Sequence, residues 1–297
     1  QEDDNAAGTA PADEDGVVLL DWLGNPTAEL IPGQWAQLQV TVGEDSPEGG
    51  YLYAWIDYNG DGVWGDSGSE TQNGVANPWN EQIADGLAIA AGETATIDFF
   101  VPHEGIDPGE VNARFRLISE TEYAARDDAS LTVDGVAYSG EVEDYVYTLL
   151  EVDYGDAASG PTIWADDGAR HVIAGPWLGT PPDWEHDGQE DDNAAGTAPA
   201  DEDGVVLLDW LGNPTAELIP GQWAQLQVTV GEDSPEGGYL YAWIDYNGDG
   251  VWGDSGSETQ NGVANPWNEQ IADGLAIAAG ETATIDFFVP HEGIDPG

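Results

Sequence analysis

Residues 1–109 and 189–297 are identical letter for letter, at an offset of 188 residues. Only residues 110–188 occur once in the chain. A long fixed period of this kind is typical of tandem-repeat proteins, which add equal units along the chain. An enzyme with one active site gains nothing from two identical segments, whereas a chain that needs reach or valency does. Because the chain begins and ends within a unit, we expect it to be an excerpt from a longer array.

The second constraint is the charge. The chain has 59 Asp and Glu residues, no lysine and only four arginines, which gives a net charge of −55. Self-repulsion of this size favours disorder, but 13 tryptophans, 11 tyrosines and 40% apolar residues can build a core. We therefore expect a folded protein whose acids are neutralised by bound divalent cations, by high ambient salt, or by both.

The same charge excludes several classes of partner and compartment. A polyanion without a basic patch repels phosphate backbones, so no nucleic-acid binding is expected. Binding to an anionic membrane surface is disfavoured for the same reason. No apolar run approaches the ~18 residues of a membrane-spanning helix, so membrane insertion is not expected. The chain has no cysteine and hence no disulfides, which fits an exterior protein stabilised by calcium instead.

Apolar and polar residues alternate with period two over short stretches, among them residues 36–42, 94–101 and 113–117. This period is typical of half-buried β-strands. Asp134–Gly135 in "LTVDGVAY" predicts a two-residue hairpin turn. Many short strands separated by glycine and proline predict an all-β fold of tandem antiparallel β-sandwich domains, immunoglobulin-like or jelly-roll-like.

The stretch "DYNGDGVWGD" begins at Asp57 and returns unchanged at Asp245. Oxygen-bearing residues at positions 1, 3 and 5 followed by glycine are the spacing of an EF-hand-type calcium loop, in which position 7 gives a backbone carbonyl. Position 12 is glycine rather than glutamate, and "YLYAWI" before the loop predicts a strand, so we expect a calcium loop carried on β-structure. Magnesium fits less well because it requires strict octahedral geometry. The alternative is a solvated acidic turn. The predicted Ca²⁺ ligands are Asp57, Asn59, Asp61, the Val63 carbonyl and Asp66 or Glu70 in the first copy, and Asp245, Asn247, Asp249, the Val251 carbonyl and Asp254 or Glu258 in the second.

Further acids cluster near the ends of the unit. A sandwich that brought those ends together would form either a second cation site or an arginine–carboxylate junction with Arg114, Arg116 or Arg170, and the two alternatives are open; each cluster alone is typical of a solvated face. The candidates are Asp13, Asp15, Glu141, Glu143, Asp144, Asp153, Asp156, Asp166 and Asp167.

Six motifs together resemble the GEVED domain of large bacterial extracellular and surface proteins: "DYGDA", "ADDGARH", "DEDGV", "AWIDYNGDG", "ARFRL" and "GEVEDY", in that cyclic order. The resemblance covers nearly the whole 188-residue unit. It implies a secreted β-sandwich module that is repeated in adhesin-like chains, at the cell surface or in an extracellular fibre, and it implies no enzyme. The closing glutamate of the acidic loop is displaced here by inserted residues.

In the order of that family, a domain begins near Asp153 and ends with the "GEVEDY" strand. The chain then consists of residues 1–152, a sandwich repeat without its opening segment; residues 153–188, the opening segment or interdomain junction; and residues 189–297, a second copy without its closing strands. An incomplete copy exposes a strand edge, which is a template for another strand. We expect copies of the unit, in the same or another chain, to complete one another by β-augmentation and to propagate into a fibre.

Two other functions compete with this structural one. Trp64, Trp79, Trp177 and Trp184 could form a glycan-binding platform, and the alternative is that they pack in the core or between domains. A hydrolase is disfavoured because carboxylate pairs are uninformative in so acidic a chain and no serine lies in a nucleophile-elbow motif. The histidines at positions 103, 171, 186 and 291 have no zinc or triad spacing.

Overall fold

The computed structural model divides the chain into two compact units, Gln1–Glu151 (the first unit) and Val152–Gly297 (the second unit). It describes residues 15–21, 23–126, 131–155, 157, 161–188 and 203–291. Strands dominate both units, so the predicted all-β, sandwich-like fold is confirmed. None of the helices in these ranges is long and apolar enough to cross a membrane.

The first unit contains two main sheets and a separate hairpin. The four-stranded sheet has the order β2-β1-β4-β9, the five-stranded sheet has the order β3-β11-β10-β5-β8, and β6 pairs with β7. All pairs are antiparallel except β3 with β11, which is a short parallel pair. The strands are β1 (Val17–Leu20), β2 (Pro26–Thr27), β3 (Glu29–Leu30), β4 (Trp35–Thr41), β5 (Gly50–Asp57), β6 (Ser67–Gln72), β7 (Val75–Asn80), β8 (Gln82–Ile89), β9 (Thr94–Phe100), β10 (Gly109–Ser119) and β11 (Glu141–Leu149).

The core lies between the two main sheets. It is built by the inward-facing residues of the alternating strands, such as Leu38 of β4, Ile97 of β9, Leu52 of β5 and Phe115 of β10. Because successive side chains of a strand point to opposite faces, period-two sequences place one apolar row on this side. The strands predicted over 36–42, 94–101 and 113–117 correspond to β4, β9 and part of β10.

The outer face of the five-stranded sheet is also covered. The other row of β5, with Tyr53 and Trp55, packs against Ile118 and Leu131. The cover comes from the connection between β10 and β11, which begins with the helix α1 (Glu120–Ala125). In the first unit β5 is therefore buried on both faces.

The hairpin predicted at Asp134–Gly135 is wrong, because residues 131–140 form bends and no strand. The carbonyl groups of this segment are instead held by one side chain. The guanidinium of Arg116 donates to the carbonyls of Thr132 (2.5 Å), Asp134 (2.7 Å) and Gly135 (3.0 Å). Carbonyls bound in this way are not available for a strand ladder, although Gly135 keeps the positive φ of 80° that turns require.

The second unit repeats most of the first unit's strand pairs in smaller sheets. β14, β15 and β20 form one sheet, and β12–β13, β16–β19 and β17–β18 form pairs. The strands are β12 (Val152–Tyr154), β13 (Arg170–Val172), β14 (Val205–Leu208), β15 (Trp223–Thr229), β16 (Gly238–Trp243), β17 (Ser255–Gln260), β18 (Val263–Asn268), β19 (Gln270–Ile277) and β20 (Thr282–Phe288), and a 3-10 helix covers Trp164–Asp166.

Candidate functional site

The first acidic loop follows β5 directly, and its first residue is buried. Asp57 is only 3% exposed. Its Oδ2 accepts a hydrogen bond from the Gly62 N–H at 3.0 Å, so the carboxylate faces the loop. Its Oδ1 is also buried and has no hydrogen-bond partner. A buried carboxylate oxygen without a partner is costly, and a cation ligated at this oxygen would remove that cost.

The rest of the loop folds around its own side chains. Asn59 Oδ1 accepts from the Asp61 N–H at 3.0 Å, and Asp61 Oδ1 accepts from the Val63 N–H at 2.7 Å. Gly60 and Gly62 have φ values of 66° and 78°, a region that glycine enters readily. These bonds wind the backbone so that the three acidic or amide side chains follow one another along a tight curve.

A buried glutamate that was not predicted from the sequence borders this loop. Glu81 precedes β8 and is 1% exposed. Its Oε2 accepts from the Asp66 N–H at 3.0 Å, and its own N–H donates to the Asp66 carbonyl at 2.9 Å. Burial raises the pKa of the Glu81 carboxyl to about 7, and the charge of Asp57 adds to the rise. No local spacing indicates Glu81, because it lies far along the chain from Asp57.

The two alternatives for the closing ligand lie in different places. Asp66 is bound to the loop, since its Oδ2 accepts from Asn59 Nδ2 at 3.3 Å. Glu70 is directed elsewhere: its carboxylate accepts from the backbone N–H groups of His103 and Glu104 at 3.0 Å. Asp66 and Glu81, not Glu70, are therefore the acids beside the first loop.

The second loop follows the same path, but its first residue, Asp245, has different hydrogen-bond partners. Both Asp245 oxygens accept loop N–H groups, Oδ1 from Gly248 at 2.7 Å and Oδ2 from Gly250 at 3.0 Å. Glu269, the copy of Glu81, is again 1% exposed and accepts from the Asp254 N–H at 2.9 Å. The remaining loop bonds join the Asp249 N–H to Asn247, the Val251 N–H to Asp249, and Asn247 Nδ2 to Asp254, while Glu258 accepts from the His291 N–H.

The loops offer oxygens but not a closed ligand shell. Among the described residues, no group of three or more His, Cys, Asp or Glu side chains is arranged to hold a metal ion. The donors in the predicted loop include the Asn59 amide and the Val63 carbonyl, which are oxygen ligands of the kind that Ca²⁺ accepts in addition to carboxylates. The fit of Ca²⁺ to the first loop therefore depends on the unpartnered Asp57 oxygen and on the acids around it.

The second acidic cluster is divided between the units. In the first unit Asp144 forms a bidentate pair with Arg114, with both distances 2.7 Å, and this pairing raises the pKa of Arg114. In the second unit Asp167 lies 3.1 Å from Arg170. Asp144 and Asp167 are therefore each paired with an arginine, as the arginine–carboxylate alternative expects. Of the other candidates, Asp15, Glu141 and Glu143 lie in the first unit and Asp153 and Asp166 in the second, whereas Asp13 and Asp156 lie outside the described residues.

The four candidate tryptophans are each partly buried against neighbouring groups of their own unit. The guanidinium carbon of Arg114 lies 5.8 Å from the Trp64 ring centre. Trp79 lies over Gly68, Trp177 lies over Gly231, and the Trp184 ring packs edge-on against His186 at 4.5 Å. No flat row of exposed rings is formed by these four residues.

Comparison with known proteins finds a family model and solved structures that match this chain. A solved structure titled "BspA_C_WT" is 11% identical, aligns over 92% of this chain and 91% of its own, and has a TM-score of 0.28. The search of curated proteins found no match. The family model described as "GEVED domain" matches residues 51–148. This range runs from β5 to β11 and includes the first acidic loop, Glu81 and the "GEVEDY" strand. The resemblance inferred from the sequence is thereby confirmed, and residues 51–148 are the part of the chain that is similar to the GEVED domain.

Proposed function

We propose that this protein is a structural, calcium-stabilised tandem repeat of a bacterial extracellular adhesin, surface fibre or filament, and that its units complete one another through strands. The GEVED resemblance supports the coarser part of this function, a surface or extracellular β-domain. The pairing of strands between units rests on a comparison within the chain, because the same 109 residues occur twice with different surroundings.

The observation that carries the proposal is the different burial of β5 and its copy β16. Tyr53 and Trp55 are 2% and 3% exposed, whereas their copies Tyr241 and Trp243 are 53% and 43% exposed. The sequences of the two strands are the same, so the difference comes from what surrounds them. In the first unit β5 pairs with β10 along eight residues, from Asn112 with Asp57 to Ser119 with Gly50. In the described part of the second unit β16 pairs only with β19.

Because β16 is a copy of β5, we infer that the segment that covers β5 can also pair with β16. Residues 109–149 supply β10, the helix α1, the loop that contains Leu131, and β11. Large aromatic side chains left exposed beside an open strand edge form an association surface. We infer that the same segment from another copy of the unit pairs with β16 by β-augmentation.

Thiol reactivity tests this pairing, because the chain has no cysteine. The Tyr241→Cys variant should react rapidly with a maleimide reagent and the Tyr53→Cys variant slowly. A synthetic peptide of residues 109–149, added to the full chain, should protect the thiol of the Tyr241→Cys variant. The same peptide with Phe115→Asp is the control and should not protect it. Equal reactivity of the two thiols, or no protection by the unchanged peptide, would contradict strand complementation.

The calcium part of the proposal rests on the unpartnered Asp57 oxygen. Asp57, Asp66 and the buried Glu81 bring three carboxyl groups together, with no described basic side chain bonded to any of them. A Ca²⁺ ion would supply the missing positive charge, with Asp57, Asn59, Asp61, the Val63 carbonyl and Asp66 or Glu81 as its oxygen ligands. The second loop would hold a second ion through Asp245, Asn247, Asp249, the Val251 carbonyl and Asp254 or Glu269.

Calorimetric titration of the chelator-stripped chain tests this site. We expect two equivalents of Ca²⁺ and a higher melting temperature, since a ligand of the folded state stabilises it by mass action. Asp57→Ala should remove one equivalent and Asp245→Ala the other, whereas Asp45→Asn, at an exposed position outside the loops, should remove neither. No heat and no thermal shift on adding Ca²⁺ would refute the calcium site.

A glycan-binding module is the alternative function. The most exposed aromatic row, which consists of Tyr239, Tyr241 and Trp243, resembles a sugar platform when the second unit is considered alone. The same three positions in the first unit belong to a strand that is buried on both faces, which favours a strand-pairing role. Neither a nucleophile nor a zinc-ligand motif in the sequence supports catalysis, and we propose no enzymatic activity.

A further inference from the structure

Gly16 and its copy Gly204 are covered by different parts of the chain. In the first unit a Cβ placed on Gly16 would lie 3.0 Å from Oε1 of Glu143, which belongs to β11. In the second unit a Cβ placed on Gly204 would lie 2.5 Å from Cβ of Leu178. Leu178 comes from the part of the chain that precedes the second copy. The same surface can therefore receive two different covers.

The segment that covers Gly204 is held as an added strand. We call residues 174–180, with the sequence AGPWLGT, the Trp-Leu-Gly segment. The Gly179 N–H donates to the Thr229 carbonyl at 3.0 Å, and the Gly231 N–H donates to the Trp177 carbonyl at 3.1 Å. Leu178 forms an antiparallel bridge with Val230 and packs on the core of the second unit. Main-chain bonds on both sides of one apolar side chain are typical of strand addition at a sheet edge.

The first unit has a groove at the corresponding place. One wall is formed by Gly16, Val40, Thr41, Val42 and Leu52, and the other by residues of β10 and β11. The five residues of the first wall are identical to Gly204, Val228, Thr229, Val230 and Leu240, which surround Leu178 in the second unit. We call this site the Gly16 groove. Its first wall is thus the surface on which the Trp-Leu-Gly segment is seen in the second unit.

The segment is also suited to so acidic a protein. Residues 172–182 contain no charged side chain, although the chain as a whole carries a net charge of −55. An uncharged donor adds no repulsion when it approaches an acidic surface. A donor with the usual acid content of this chain would bring like charges toward Glu141 and Glu143, which line the second wall of the groove.

We propose that the Gly16 groove is a docking site for the Trp-Leu-Gly segment of a second copy of this chain. Leu178 of the donor enters the groove beside Val42 and Leu52. To admit it, the buried Glu143 carboxylate, which accepts a hydrogen bond from the Tyr145 hydroxyl at 2.9 Å, turns away from Gly16. The inference rests on the proposed function only in requiring that copies of the unit meet.

A fluorescein-labelled peptide of residues 172–182, titrated into the full chain and followed by anisotropy, tests the docking. We expect saturable binding. Gly16→Ala should weaken it by at least about tenfold, since the added methyl group occupies the position of the donor leucine. In the unbound first unit this methyl meets the carboxylate end of the Glu143 side chain and, at the ordinary contact distance of 3.4 Å, the Thr41 carbonyl oxygen, so the variant should keep the parent circular dichroism and melting curve.

Two further variants keep the test decisive. The peptide with Leu178→Asp leaves the protein unchanged and should not bind. The chain with Glu143→Ala should bind the unchanged peptide more tightly, because no carboxylate has to leave the groove. Absence of binding by the unchanged peptide, or binding that is insensitive to both Gly16→Ala and Leu178→Asp, would overturn the proposal. Failure here leaves the thiol protection at Tyr241→Cys and the calcium titration unaffected, so the two ideas fail separately.

Discussion

Gly140, the first residue of the "GEVED" motif, shows how strictly a single position is determined. Its φ is 84°, and a Cβ placed on it would lie 1.7 Å from the Leu117 carbonyl oxygen. Both the backbone conformation and the lack of space therefore require glycine. This close approach lets the chain enter β11 directly beside β10.

Gly140→Ala should destabilise the first unit by roughly 3 kcal/mol or more, because it combines backbone strain with a clash against main-chain atoms. Gly135→Ala is a matched control: its φ is 80°, and no atom lies within 4 Å of the added methyl. The control should lose only about 1 kcal/mol. Urea unfolding of both variants gives the two values, and equal losses would show that the close approach does not exist.

Arg114 and Arg116 lie two residues apart in β10 and make different contacts. Burial lowers the pKa of Arg116, whose guanidinium donates to three carbonyl groups of the loop that covers β5. Arg114 forms an ion pair with Asp144 that is about one-third exposed. Arg116→Lys should cost about 2–3 kcal/mol, because an ammonium cannot reach three carbonyls in this fork. Arg114→Lys should cost at most about 1 kcal/mol. Thermal melting distinguishes these results, and a larger loss for Arg114→Lys would contradict the assignment.

Among the elements, β5 and β16 have the same sequence but different burial, so the cost of the same substitution can be compared between them. Tyr53→Ala removes a fully buried ring and should cost about 3–5 kcal/mol. Tyr241→Ala removes a ring that is half exposed and should cost less than about 1 kcal/mol. Differential scanning calorimetry of the two variants measures the difference. Similar losses would mean that β16 is covered in solution.

Most strands could be predicted from the sequence, because the period of two is a local property. The helix α1 was missed, although Ser119 caps it by accepting from the Glu122 N–H, and a serine three residues before a glutamate is a capping signal. The hairpin at Asp134–Gly135 was predicted wrongly for the opposite reason. Its local signal is strong, but a distant residue, Arg116, takes up the carbonyls that a hairpin would need.

The candidate site was predictable to a similar extent. The spacing of Asp57, Asn59 and Asp61 is local and placed the loop. Glu81 is brought to Asp66 by the β6–β7 hairpin, in which Ser67 pairs with Asn80, and to the end of β5 by the pairing of β5 with β8. Because both contacts depend on strand pairing, no spacing in the sequence indicates Glu81. Glu70 was a plausible calcium ligand because it follows the loop closely in the sequence. The hairpin of β6 and β7 instead carries it to the N–H groups of His103 and Glu104.

For the molecule as a whole, the net charge of −55 predicts a strong dependence of stability on salt. The screening length falls from about 10 Å at 0.1 M to about 3 Å at 1 M salt, which weakens repulsion between surface acids. NaCl should therefore raise the melting temperature, by about 2–4 °C for each kcal/mol of repulsion relieved. Ca²⁺ should raise it further than Mg²⁺ at equal ionic strength. Equal effects of the two ions would indicate screening alone.

The two covers of the repeated glycine differ in the order in which the ribosome makes them. The Trp-Leu-Gly segment leaves the ribosome before the second copy that it covers, whereas β10 and β11 leave after the copy in the first unit that they cover. A nascent chain folds as it emerges, and apolar surface that stays bare in the meantime is prone to aggregate. The upstream segment thus gives the newly made second copy a cover as soon as its own strands appear. Of the two covers, the upstream segment is therefore the one that shortens the time for which the apolar surface is bare.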